Sequence, residues 1–236
     1  MKNIKRNITL GVLFFLPVMF LLFLYPSTHN YNPLEIVNLN VKELNGFRSD
    51  DNQIIQLKDK ITVLTFLGAN PSESMIATLN LKELVYDKFK GFKNFQVVAV
   101  LPNQAKDKLE DIKNNISAYE ELKHWHYVLG TDDQINQLFE SLKSSEALDD
   151  YMATPSAFII DKDLNQRGRI DDREKNEIAK SMDPYSKVEY NCLEVSQIKN
   201  KMSEDMRILF TEYRQKRKGN FDSSIRRADD LKESNE

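Results

Sequence analysis

One cysteine, Cys192, stands among 236 residues. No intramolecular disulfide is possible in any compartment, and a lone thiol is most simply a packed one. No concentrated basic stripe occurs, which excludes the electrostatic footprint of a nucleic-acid binder. No 12-residue calcium loop of the Asp-x-Asp-x-Asp-Gly kind follows any of the acidic pairs Asp50-Asp51, Asp132-Asp133, Asp149-Asp150 and Asp171-Asp172. Helix caps and solvated turns account for those pairs. No internal repeat is found.

Charge is also missing from residues 8–25, an apolar run of 18 residues interrupted by Pro17 and preceded by Lys2, Lys5 and Arg6. That length is near the lower limit for a bilayer span. A cleaved signal peptide is the competing reading, but Pro26, Ser27, Thr28 and His29 offer no Ala-x-Ala-like site. The expectation is an uncleaved anchor over 1–26 that holds the bilayer through 8–25. The basic residues before it place the N-terminus in the cytoplasm and the rest of the chain in a periplasm. Three of the 33 basic residues precede the run, so 30 remain against 36 acidic ones, a balance of −6.

Beyond a tether at 27–34, segment 35–57 alternates apolar and polar residues around Ser49-Asp50-Asp51-Asn52, which predicts strands and a hairpin. Strands are then predicted at 61–67, 95–101, 125–129, 156–161 and 166–170, with helices at 71–89, 104–122 and 132–142. Val63-Leu64, Val97-Val98-Ala99-Val100 and Ala157-Phe158-Ile159-Ile160 are apolar throughout, as strands covered on both faces are. Residues 171–190 read as a surface excursion. Val195, Ile198, Met202, Leu209 and Tyr213 mark a C-terminal amphipathic helix closed by Lys216-Arg217-Lys218-Gly219, and 219–236 read as a polar tail. The fold class is α/β, with one domain over 35–218.

This order of elements is that of a thioredoxin-like domain. Leu57-Lys-Asp-Lys-Ile-Thr-Val-Leu-Thr-Phe66, Trp125-His-Tyr-Val-Leu-Gly-Thr131, Thr154-Pro-Ser-Ala-Phe-Ile-Ile-Asp161 and the anchor together resemble the Sco family, membrane-anchored copper chaperones and thiol proteins of cytochrome oxidase assembly. The resemblance covers about 36–171 and the C-terminal helix. It implies a thioredoxin-like fold with a central mixed sheet. It also implies a motif Cys-Pro-x-x-x-Cys, or Cys-Pro-x-x-Cys-Pro, at the turn after the first core strand, and a distant histidine as third copper ligand. Here Pro71 matches the motif proline, Asn70 the first cysteine and Ser74 the second, while the histidine falls near Ala153 or Thr154.

An amide, a hydroxyl and a methyl cannot replace thiolate and imidazole on copper, nor can they exchange disulfides. Asn70, Pro71 and Glu73 are instead the residues of an N-cap, a first helical position and a capping box. No cofactor and no catalysis are expected; a membrane or periplasmic protein partner in oxidase assembly is. The resemblance also makes Pro155 a cis-proline. The alternatives keep metal or thiol chemistry on His124, His126 and Cys192, or make the chain a structural subunit of a membrane complex. His124 and His126 lie two apart along a strand, so they share a face, yet two imidazoles make a weak metal site. Arg167-Gly-Arg169 with Arg173 reads as charge on a hairpin edge.

Overall fold

The computed structural model describes residues 2–24, 33–49, 53–117 and 122–217. The chain divides into two compact units, one ending at Asn32 and the other beginning at Pro33. In the first, α1 (Lys2–Leu24) carries Pro17 within it. Its segment Ile4–Phe23 is, among the described residues, the one helix long and apolar enough to cross a bilayer. Twenty residues at 1.5 Å each make about 30 Å, the thickness of a hydrocarbon core. Residues 27–32 of the expected tether and the expected tail at 219–236 lie outside the described residues.

The second unit is built on an eight-stranded mixed sheet. Its centre is β3 (Ile61–Leu67), β4 (Phe95–Pro102) and β5 (Trp125–Gly130), paired in parallel, with β6 (Ala153–Ile160) antiparallel to β3. Parallel neighbours need crossovers. Between β3 and β4 the crossover is α2 (Met75–Leu81), a π-helical turn Lys82–Tyr86 and a last turn α3 (Asp87–Phe89); between β4 and β5 it is a 3-10 segment Asn103–Lys108 and α4 (Leu109–Ile116). The helix α5 (Asp132–Glu140) starts on a capping box in which the Gln134 backbone N–H donates to Thr131 Oγ1 at 3.3 Å and Thr131 N–H to Gln134 Oε1 at 2.9 Å. The mixed sheet with helices on both faces is the thioredoxin-like arrangement that the sequence predicts.

Alternation along the strands makes two cores. Phe95, Val97, Ala99 and Leu101 point into one, under α2, α4 and the C-terminal helix, while Val98 and Val100 point into the other, under α5. All seven residues of β3 and all eight of β4 are buried, which is why both read as continuous apolar runs.

The expected N-terminal hairpin is not formed among the described residues. The strand β1 (Glu35–Asn38) pairs with β7 (Gln166–Gly168) at one edge, and β2 (Arg48–Ser49) pairs with β5 at the other. The intervening chain spans the sheet and is pinned by Glu43, whose carboxylate accepts from Leu57 N–H at 2.7 Å and Lys58 N–H at 2.9 Å. The turn residues 50–52 lie outside the described residues. The excursion at 171–190 holds a short helix α6 (Lys175–Ala179) and leads into β8 (Tyr190–Asn191), which pairs with β6.

The C-terminal helix, a π-helical segment Gln197–Met202 followed by α7 (Ser203–Arg217), buries Ile198, Met202, Met206 and Leu209, while Val195 lies before it and is exposed. Arg167 and Arg169 are not edge charges, contrary to expectation. Arg167 is 3% exposed and meets Asp161 at 3.0 Å and Glu212 at 2.5 Å, and its guanidinium also donates to the Leu34 carbonyl. Arg169 forks onto Asp205 at 2.7 and 3.0 Å. The Tyr190 hydroxyl donates to the same carboxylate at 2.6 Å. These ions satisfy one another in the seam between the sheet edge and α7, the condition under which charge is buried at all. Of the three, Arg173 alone keeps the surface role, paired with Asp171.

Candidate functional site

The turn after β3 begins at Gly68, whose φ of +71° and tight surroundings require glycine. A Cβ there would stand 2.6 Å from the Tyr151 carbonyl oxygen and 2.7 Å from the Ala153 Cβ. Ala69 N–H donates to the same Tyr151 carbonyl at 2.7 Å, tying the turn to the loop that precedes β6. In register, Leu67 faces Ala153 and Phe66 faces Thr154. The positions matched to the two cysteines and to the histidine therefore converge at one end of the sheet.

What occupies them is polar but engaged. The chain from Asn70 passes through tight turns: Glu73 N–H donates to Asn70 O at 2.9 Å, Ser74 N–H to Pro71 O at 3.2 Å and Met75 N–H to Ser72 O at 3.3 Å. The helix proper starts at Met75, with Ser74 preceding it. The expected cap at Asn70 with Pro71 as first helical residue is thus corrected. The Asn70 side-chain oxygen accepts instead from Lys108 Nζ at 2.6 Å, and the same ammonium donates to the Ala69 carbonyl at 3.0 Å. Ser74 does not cap through its side chain either, because its hydroxyl donates back to Leu67 O at 3.1 Å. The Ser74 hydroxyl thus donates to a backbone carbonyl, and the nearby ammonium is engaged by Asn70 and Ala69. Lys108 closes this turn from 38 residues away, and no pattern in the sequence marks it.

Pro155 lies inside β6, and its peptide bond with Thr154 is trans, which corrects the expected cis-proline. Extended backbone suits a residue before proline. Pro155 has no N–H to place, and its carbonyl accepts from Cys192 N–H at 2.8 Å as an ordinary edge contact. The buried Thr154 turns its hydroxyl to the Ser156 N–H at 3.2 Å.

His126 is on β5 and His124 just before it, both partly buried, with the His124 carbonyl accepting from Val97 N–H at 2.8 Å. Cys192 follows β8. In the order β8, β6, β3, β4, β5 four strand spacings of about 4.8 Å separate them, roughly 19 Å, so they do not share a metal. The thiol is buried and donates to Tyr190 O at 3.6 Å, and burial pushes its pKa up to about 12. Such a thiol is the opposite of a reactive one. Among the described residues no three His, Cys, Asp or Glu side chains are grouped as metal ligands would be.

No protein-family profile matches the chain. No curated protein sequence matches it. Solved structures of similar fold include BsSco, described as a member of the Sco family of cytochrome c oxidase assembly proteins, at 15% identity over 75% of this chain and 97% of that one, TM-score 0.49. The soluble domain of Sco1 from Bacillus subtilis is 14% identical over 72% and 92%, TM-score 0.44. ScoI of Arabidopsis thaliana with copper bound is 14% identical over 68% and 94%, TM-score 0.37.

Proposed function

We propose that this chain is a Sco-like protein that keeps the thioredoxin-like scaffold without its thiol and copper chemistry, and that it acts by binding a partner. In this reading Ile4–Phe23 spans the inner membrane with Lys2, Lys5 and Arg6 on the cytoplasmic side, and the domain from Pro33 faces the periplasm. The partner is a membrane or periplasmic protein, and the role is that of an accessory factor in assembling a respiratory complex such as cytochrome oxidase. The assembly role follows from the family resemblance, so it rests on analogy of fold.

One observation carries the non-catalytic part. At the positions where the family places its ligands, the Asn70 amide is taken up by Lys108 and the Ser74 hydroxyl by the Leu67 carbonyl, so these groups stabilise the turn itself. Soft sulfur and imidazole donors, which copper requires, are replaced by groups that do not bind it tightly.

The test uses the full-length protein in detergent, titrated with cuprous and cupric ion and, separately, used as bait in solubilised membranes. The expected result is no stoichiometric tight copper and recovery of a respiratory-complex component in amounts that vary with growth conditions. Tight 1:1 copper abolished in a His124→Ala, His126→Ala, Cys192→Ser variant overturns the reading. Recovery in a fixed ratio to a stable complex makes the chain a structural subunit.

A further inference from the structure

Asn45 is the one asparagine of the chain that precedes a glycine. An asparagine side-chain carbonyl lies within reach of the next residue's backbone nitrogen, and only a glycine offers that nitrogen with no Cβ beside it. The pair forms the turn between Leu44 and Phe47, and both residues are exposed. The peptides on either side are held: Asn45 N–H donates to Glu43 O at 2.8 Å and Phe47 N–H to Leu44 O at 3.2 Å. Between them, neither the Gly46 N–H nor the Asn45 amide has a hydrogen-bond partner among the described residues. Other asparagines are tied. Asn38, Asn80 and Asn115 donate from their amides to the carbonyls of Ser141, Cys192 and Asp111 at 2.8, 2.9 and 2.8 Å, and Asn70 accepts from Lys108. At Asn45 the reacting carbonyl, the attacking nitrogen and access to water thus coincide.

We propose that Asn45 is a self-modifying site, at which the folded protein deamidates without an enzyme and passes to an isoaspartyl form. The Gly46 nitrogen attacks Asn45 Cγ. A new N–Cγ bond forms, the bond from Cγ to the side-chain nitrogen breaks, and ammonia leaves with the Gly46 proton. Water then opens the cyclic imide at either carbonyl, leaving aspartate or, with the main chain routed through the β-carbon, isoaspartate. Solvent water is the only co-reactant, and one negative charge is gained. The place of the turn gives the change a structural consequence. Gly46 sits at φ +84° against Gln134, whose Nε2 lies 2.5 Å from where a Cβ would stand, and Gln134 is half of the capping box that starts α5. Phe47 Cε1 stands 2.5 Å from the corresponding position at Gly130, the last residue of β5. Leu44 is buried, so the turn cannot yield on that side. An extra methylene between Leu44 and Phe47 therefore displaces the contacts that hold this turn on the start of α5 and on β5, where β2 pairs.

The experiment incubates the full-length protein in detergent at mildly alkaline pH and follows each asparagine by peptide mass spectrometry, with isoaspartate told from aspartate by electron-transfer fragmentation. The amide is lost at Asn45 before any other asparagine between Pro33 and Arg217, and isoaspartate accumulates there. An Asn45→Gln variant loses the early acidic shift on ion exchange. The isoaspartyl form, separated from its parent, unfolds at a lower urea concentration, whereas Asn45→Asp, which adds the charge and keeps the main chain, holds the wild-type midpoint. Retention of the Asn45 amide while Asn136 or Asn176 is converted overturns the proposal. So does conversion of Asn45 only after unfolding in urea, since the fold would then protect it. An isoaspartyl form with the parent's midpoint overturns the link to α5.

Discussion

The turn at 68–74 and the seam between β7 and α7 are two polar places in this domain, and they are held differently. At the turn, polar side chains near solvent bond to local backbone and to one lysine. At the seam, Arg167, Asp161, Glu212 and Asp205 are each no more than 4% exposed; Arg167 meets Asp161 six residues away and Glu212 45 residues away, and Asp205 meets Arg169 across 36 residues. Burial raises the Asp205 carboxyl, against hydrogen bonds from Arg169 and Tyr190 that pull it down. The difference teaches where the architecture tolerates change. A site that tightens only its own turn can lose its chemistry without loss of the fold, whereas a buried charge network cannot lose one member alone.

The largest expected effect lies at the seam. Arg167→Met leaves buried Asp161 without a cation and Glu212 with Lys216 alone, and should lower stability by about 3–5 kcal/mol, read as a shift in urea midpoint at unchanged slope. A loss below about 1 kcal/mol would remove the contrast between the two regions, since that is the scale of exposed pairs.

The thiol sharpens the comparison from the side of chemistry. Burial raises the Cys192 pKa to about 12, so the folded state holds the proton more tightly than the unfolded chain. Its contribution is full below the unfolded pKa of about 9 and is lost as pH rises through about 12. Between pH 8 and 11 the stability gap between wild type and Cys192→Ala should shrink by about 3 kcal/mol, at about 1.4 kcal/mol per pH unit. Chemical denaturation of both proteins at each pH measures it, and a constant gap would show the thiol to be less buried than this.

At the turn, backbone outweighs side chains. Gly68→Ala combines a positive φ with a Cβ 2.6 Å from the Tyr151 carbonyl and should cost about 2 kcal/mol in thermal or urea unfolding. A neutral result would mean that the loop 151–153 gives way, and the convergence of the turn with Ala153 would then be loose.

The sequence made the centre of the sheet legible because β3, β4 and β6 are buried on both faces and so read as apolar runs. The hairpin was misread because β1 and β2 are four and two residues long, and so short a strand takes its partner from tertiary contacts. Asn70-Pro71 has the composition of a helix start, but the chain spends those residues on turns so that Ser74 can reach Leu67. The seam left a faint trace. Arg167 and Arg169 alternate with the strand while Asp205 and Glu212 lie two helical turns apart within the apolar stripe of α7, and seven-residue spacing puts both acids on one face.

The smallest effect is the most discriminating for the turn. Asn70→Ala and Lys108→Ala each remove one half of a 2.6 Å contact whose lysine is exposed, so water replaces either partner. Each should change stability by no more than about 0.5 kcal/mol, and a double-mutant cycle between them should show coupling within the same limit. Coupling well above that would mean the pair is held for a purpose the fold does not need. Lys108 and Asn70 would then be the first residues to test in partner capture, because a rigid amide and ammonium at a sheet end can present two donors to a carbonyl or carboxylate of another chain. Weak coupling leaves the turn a place whose polar groups bond locally and whose side chains the fold hardly needs.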